Sequence, residues 1–146
     1  MFGLGKPKDN AVEGTGPLVL LVGHCGFDSG GLKRVVLQAV PEARLEEVNS
    51  RRVLEASIGQ ASLLLVNRKL DGSFGLPRGD HGDGVELIRE IAASDHAPAC
   101  VLISNFEDAQ AAAVEAGARP GFGKKDLRAE SAARSIRSAL GLGQPQ

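Results

Sequence analysis

Three short aliphatic runs constrain this chain more than any other feature: PLVLLVG (17–23), ASLLLVN (61–67) and PACVLISN (98–105). Each has the length of a strand, and none alternates with polar residues as a strand with one wet face does. Such runs are strands buried on both sides, and they need helices above and below them. The intervening stretches supply those helices. In 28–40, Leu32, Val35, Val36 and Ala39 recur at i, i+3, i+4 and i+7, which is one helical face, with Asp28 and Ser29 as cap candidates. SRRVLEASIGQ (50–60) predicts a short helix capped by Asn49 or Ser50, and GVELIREIAAS (84–94) predicts a helix with Leu87, Ile88 and Ile91 inward. In 105–118, Asn105 is placed to cap, Asp108 sits three residues on as in a capping box, and Gly117 is a natural stop. The last helix spans 126–141 and offers Leu127, Ala132, Ile136 and Leu140 to the core. ARLEEVN (43–49) reads as a strand nearer a sheet edge, and PGFGKK (120–125) as a short fifth strand or its end.

Five strands alternating with five helices predict an α/β doubly wound parallel sheet with helices on both faces. Periodicity leaves the strand order open. The functional crevice of such a sheet lies beyond the carboxyl ends of its central strands. That directs attention to Gly23, His24 and Cys25, to Asn67 and Arg68, and to Ser104 and Asn105.

Composition removes several classes of function. The 146 residues suit one domain, placed at 17–141, with a disordered tail at 1–16 and a frayed end at 142–146. A net charge of −1 argues against a dedicated nucleic-acid binder. No apolar run is long enough to span a bilayer, and the N-terminus has no apolar core of a signal peptide, so the expectation is a cytoplasmic protein without a membrane partner. Cys25 and Cys100 lie in no CxxC, which sets aside zinc ribbons and disulfide frameworks; Cys100 falls inside a buried strand and reads as packing. With five Phe and no Trp or Tyr there is little to stack bases or sugars on. GFGK does not match a P-loop.

Four local landmarks then fall in a familiar order: VNRKLDG at 66–72, GVELIREI at 84–91, VLISN at 101–105 and EAGARPGFGKKDL at 115–127. Together they resemble the receiver domain of bacterial two-component response regulators, a flavodoxin-like fold with a five-stranded parallel sheet and five helices. The resemblance covers about residues 17–141. It implies an acidic pair after the first strand to hold Mg²⁺, a phospho-accepting Asp after the third, a Ser or Thr after the fourth and a Lys after the fifth. The chemistry needs that set: a carboxylate attacks phosphorus, the metal neutralises the equatorial oxygens, and hydroxyl and ammonium bind the transferred group.

On that alignment the acidic pair is Gly23-His24, or His24-Cys25, and neither offers hard oxygen ligands for Mg²⁺. The acceptor is Asn67, an amide that carries no charge. Ser104 holds the hydroxyl position. The lysine is Lys124 when aligned without gaps from Gly117-Ala118, the preferred choice, or Lys125 with one inserted residue near Pro120; the choice places Gly121 or Phe122 at the family's aromatic switch position. The resemblance is therefore to an atypical, or pseudo-, receiver. It implies no enzymatic activity, no cofactor and no resident metal. No effector domain fits in the remaining residues, so a stand-alone module is expected to work through a protein partner of a regulatory pathway, as an adaptor or scaffold. The family's face of fourth helix, fifth strand and fifth helix suggests a homodimer, and the Ala-rich stretch 109–116 would let another element approach closely.

What replaced the acids is open to several readings. His24, Asn67 and Ser104 form a neutral hydrogen-bond network that plugs the vacated site. Alternatively His24 and Cys25 serve a small-ligand, metal or redox sensor, helped by Asp28, Asp71 or His81. A Cys–His dyad is disfavoured because adjacent strand-end residues point to opposite faces. Residual phosphorylation could fall on Asp71 or Asp28. The long segment 68–84, with DHGDG at its end, reads as a solvated loop or as a lid or partner contact.

Overall fold

A computed structural model of the chain describes residues 15–76 and 80–142. The elements run β1 (Leu18–Val22), α1 (Gly26–Ala39), β2 (Arg44–Val48), α2 (Arg51–Ser57), β3 (Leu63–Asn67), α3 (Asp83–Ala92), β4 (Ala99–Ile103), α4 (Glu107–Ala116), β5 (Arg119–Phe122) and α5 (Glu130–Ala139). The five strands form one parallel sheet in the order β2-β1-β3-β4-β5. Among the described residues, no helix is long and apolar enough to cross a membrane.

The side-chain period of two divides the aliphatic runs between two cores. Val19, Leu21, Leu63, Leu65, Val101 and Ile103 pack under α1 and α5, where Leu32, Val35, Val36, Ala132 and Ile136 meet them. Leu18, Leu20, Val22, Leu64, Val66 and Leu102 face α2, α3 and α4, with Leu87, Ile88 and Ile91 of α3 against them. β2 is an edge strand, and of its five residues Val48 alone is buried.

Ser50 caps α2 by accepting the Val53 N–H, and Gly117 ends α4 at a φ of 121°. Two expected caps differ. α1 begins at Gly26 after Cys25, so Asp28 sits in its first turn and Ser29 is buried with its single Oγ–H shared between Cys25 O and Glu47 Oε1. Asn105 does not cap α4: its Oδ1 accepts the Lys125 N–H across the sheet end, and Phe106 occupies the cap position. Gly16 is tied down at its N–H by Glu42 O and at its O by Arg44. Most of the two expected tails, 1–14 and 143–146, lies outside the described residues.

Candidate functional site

At the end of β1 the chain turns through Gly23 at a φ of 75°, with Leu70 packed so close that a Cβ would lie 2.5 Å from its Cδ2. Only glycine fits both conditions. The turn sends His24 and Cys25 in opposite directions. His24 is 2% exposed, and its Nε2 lies 2.8 Å from Leu65 O. That carbonyl accepts only, so Nε2 carries the proton and Nδ1 is an acceptor, which finds no partner among the described residues. Burial holds the imidazole below its ordinary pKa of 6.5; the Leu65 carbonyl pulls upward, Lys124 pushes down, and Asp28 and Glu47 pull up. Cys25 faces solvent and its Sγ donates to Asp28 Oδ2 at 3.4 Å.

Two amides knit the neighbouring strand ends. Asn67 Nδ2 donates to Gly23 O (3.0 Å) and Lys69 O (2.8 Å). Asn49 Nδ2 donates to His24 O (3.1 Å) and Asp71 O (3.0 Å). A carboxylate at either position could not make these bonds, because it has no hydrogen to give. Ser104 is buried, and its Oγ accepts the Phe106 N–H at 3.1 Å. Among the described residues, then, His24, Asn67 and Ser104 plug the strand ends through backbone groups rather than by bonding to one another, which corrects the expected network. Two of the three are donors aimed at backbone carbonyls, His24 at Leu65 O within β3 and Asn67 at Gly23 O and Lys69 O just past β1 and β3.

On the β4–β5 side, Lys124 Nζ reaches Asp28 Oδ2 at 2.7 Å. That hydrogen bond is the largest influence on Asp28 and holds its carboxyl below the ordinary 3.8, against a smaller opposing effect of burial. The half-exposed pair contributes less than about 1 kcal/mol to stability. Lys124 lines a cleft with Asn67 and Ser104, whereas Lys125 lines a second cleft with Asn105 and Gln110. Phe122 is buried on the α1–α5 side of the sheet. Gly121 has no room for a side chain, because Leu102 O and Gln110 Oε1 crowd its missing Cβ.

Gln110 is a residue the sequence reading missed. Its Nε2 lies within 2.9 Å of Leu102 O, 3.0 Å of Ser104 O and 3.2 Å of Phe122 O, stapling α4 to the ends of β4 and β5. Sequence offers only a lone amide among alanines, which does not reveal the three carbonyls it meets. Arg68 was named only as a neighbour of Asn67; its guanidinium stacks over the Phe106 ring at 4.7 Å. Ala109, Ala113 and Ala116 pack inward against the sheet, while Phe106 and Val114 are the exposed apolar residues near the outer face of α4.

The Mg²⁺ that the fold implies does not fit here. Gly23 has no side chain, His24 is turned inward onto Leu65 O, and Cys25 points to solvent with a soft ligand atom. Among the described residues no three His, Cys, Asp or Glu side chains converge as a metal site. The DHGDG residues are used locally: Asp83 Oδ1 accepts the Leu70 N–H at the start of α3, and His81 Nδ1 stands 4.0 Å from Asp108. The first part of segment 68–84 is pinned to the body, with Phe74 buried and its carbonyl held by Arg51; residues 77–79 lie outside the description. Cys100 is buried and its thiol is pushed up to about 12, the mark of an inert packing residue.

No protein-family profile and no curated protein sequence matches this chain. Solved structures do. The signal receiver domain of a DNA-binding response regulator from Colwellia psychrerythraea is similar with a TM-score of 0.59 at 13% identity, over 85% of this chain and 97% of that one. The non-phosphorylated receiver domain of the stress response regulator RcsB from Escherichia coli gives 0.61 at 15%, over 88% and 97%. A receiver domain of a LuxO-type repressor from Vibrio parahaemolyticus gives 0.54 at 20%, over 88% and 98%. The chain has the receiver-domain fold, the flavodoxin-like architecture expected from its element order.

Proposed function

We propose that this chain is a phosphorylation-independent receiver-like module that acts through protein–protein contact in a regulatory pathway. The observation that carries the reading is Asn67. At the carboxyl end of β3 it has no nucleophilic oxyanion, and both of its N–H groups are committed to the backbone of Gly23 and Lys69. Its surroundings agree with this. The metal-binding positions hold Gly23, His24 and Cys25, and Lys124 is already engaged by Asp28. Gln110 fixes the segment after β4 to β5 without help from a phosphoryl group. Contact with a second copy or another protein through the family's face of α4, β5 and α5 is supported by the exposed Val114 on α4 and the exposed Phe106 at its start. The sensor reading based on His24 and Cys25 is weakened by their divergence, since one is buried and the other faces away.

The test is to record sedimentation velocity and backbone amide spectra before and after treatment with acetyl phosphate and Mg²⁺. The expected result is the same assembly state and the same spectrum. A change in either that persists after the reagents are removed would overturn the proposal.

A further inference from the structure

We propose that the open edge of β2 is an interface with a second copy of this chain, the two β2 strands pairing antiparallel about a dyad at Leu45. This surface is separate from the face of α4, β5 and α5 and from the carboxyl edge of the sheet. The inference goes beyond the reading above and does not depend on it.

Among the described residues β2 has one neighbouring strand, β1, and the register between them is unbroken over all five residues. The Arg44 N–H bonds to Pro17 O, and Val48 O accepts the Gly23 N–H, so residues 44, 46 and 48 turn their backbone groups toward β1. Backbone direction alternates along a strand, which aims the N–H and C=O of Leu45 and Glu47 at the open edge. The segment after β3 joins only beyond the strand, where Ser73 bridges Ser50. The other edge of the sheet is built differently. β5 carries Pro120, which has no N–H to give, and its register with β4 shifts between Val101 and Ile103. Both features blunt an edge.

Apolar side chains border the β2 edge on both faces. β1 and β2 are parallel, so α1 between them runs back against their direction. Lys33 of α1 reaches Glu47, and Leu37, one turn further along α1, is 41% exposed. That turn brings Leu37 level with Leu45, which is partly buried on the same face of the sheet. On the other face Glu46 accepts the Ser57 hydroxyl of α2, and Val53, one turn earlier, is 42% exposed.

The charge pattern selects the partner. Arg44 and Glu46 are exposed and share a face, two residues apart with Leu45 between them. In an antiparallel pair centred on Leu45, Arg44 of each copy stands opposite Glu46 of the other. Two cross-strand ion pairs form on one face, the two Leu45 side chains meet on the other, and the Leu45 backbones exchange two hydrogen bonds. Centring on Glu46 instead would set like carboxylates against each other, so charge fixes the register. Arg44 spends its Nε–H on Gly16 O and Glu46 one oxygen on Ser57, which leaves the guanidinium terminus and the second carboxylate oxygen for the pair. One strand supplies both the cation and the anion, and its own copy satisfies both.

Sedimentation velocity of the full chain over a concentration series tests this, with amide hydrogen exchange at both ends of the series. The expected result is a concentration-dependent dimer. The Leu45 amide should become protected as the dimer forms, while the Glu46 amide, turned toward β1, is protected throughout. R44E and E46R should each weaken the dimer about tenfold, because each replaces two attractive cross-strand pairs by two repulsive ones. R44E/E46R restores the pairs in the reverse sense and should recover the dimer. Arg89→Glu, a charge reversal of the same size on α3, should leave it unchanged. A monomer at every concentration, a dimer indifferent to R44E and E46R, or single-variant losses that R44E/E46R does not recover would overturn the proposal. So would equal weakening by Arg89→Glu. Melting curves establish that each variant is folded.

Discussion

The carboxyl edge of the sheet is built in two ways. Toward β2 and β1, polar side chains are turned onto the backbone: His24 onto Leu65, Asn67 onto Gly23 and Lys69, Asn49 onto His24 and Asp71. Toward β4 and β5, charged groups stand around an open cleft, and Arg68 and Lys69 lack ion-pair partners among the described residues. The closed side is built around Gly23, His24 and Asn67, the positions to which the receiver resemblance assigns carboxylates. Neutral donors hold the strand ends together there and need no cation to balance them. The open side gathers Arg68, Lys69 and Lys124 around the cleft, with Lys124 held by Asp28. One side is a neutral fastening, and the other is a cleft lined by cations.

The largest effect should come from breaking the closed side at its buried member. Replacing His24 by Ala removes a fully packed ring and strips Leu65 O of its donor. The expected loss is about 2–3 kcal/mol in urea denaturation. The pH dependence sharpens the point. The unfolded chain takes up the His24 proton at its ordinary value of 6.5, whereas burial lowers the folded value. The wild-type contribution is therefore level above pH 6.5 and declines as pH falls below it, because there the unfolded state binds more protons. Asp28 and Glu47 behave as depressed carboxylates: their stabilisation holds above 3.8 and 4.5 and fades below. In His24→Ala the decline that begins at 6.5 should vanish and the acid decline should remain. Thermal melts from pH 8 to 3 test this.

Next comes Asn67→Asp, which sets an acceptor-only group against two carbonyls. A cost of about 2 kcal/mol at pH 7 is expected from the same denaturation assay. Gln110→Ala tests the fastening on the other side, with an expected cost of about 1–2 kcal/mol. Hydrogen exchange should accelerate at 104–106 and 121–123 and remain unchanged at 23–25. Exchange that accelerated equally at both places would mean the two sides are one cooperative unit. The smallest effect belongs to Lys124→Ala, at less than about 1 kcal/mol, because the ion pair with Asp28 is partly exposed.

The sheet was legible because its signals are local and repeated. The three aliphatic runs are strands β1, β3 and β4, and the mixed ARLEEVN is edge strand β2. The helical faces at Leu32, Val35, Val36 and Ala39, and at Leu87, Ile88 and Ile91, are all buried. The edge was less legible because its bonds join residues far apart in the chain. Asn105 has the composition of a helix cap, yet it serves the N–H of Lys125, 20 residues away. His24 and Leu65 are 41 residues apart, so no window contains both. Gln110 matters through three carbonyls, and a carbonyl has no signature in sequence.

The most direct test of the proposal that this module works without phosphorylation is intact-protein mass after acetyl phosphate and Mg²⁺, run in parallel on the wild type and Asn67→Asp. No added phosphoryl mass is predicted in either, because restoring one carboxylate does not restore the metal ligands at Gly23, His24 and Cys25. A phosphorylated wild type would contradict the account outright and point to Asp28 or Asp71. Phosphorylation of Asn67→Asp alone would contradict the claim that the metal site is gone.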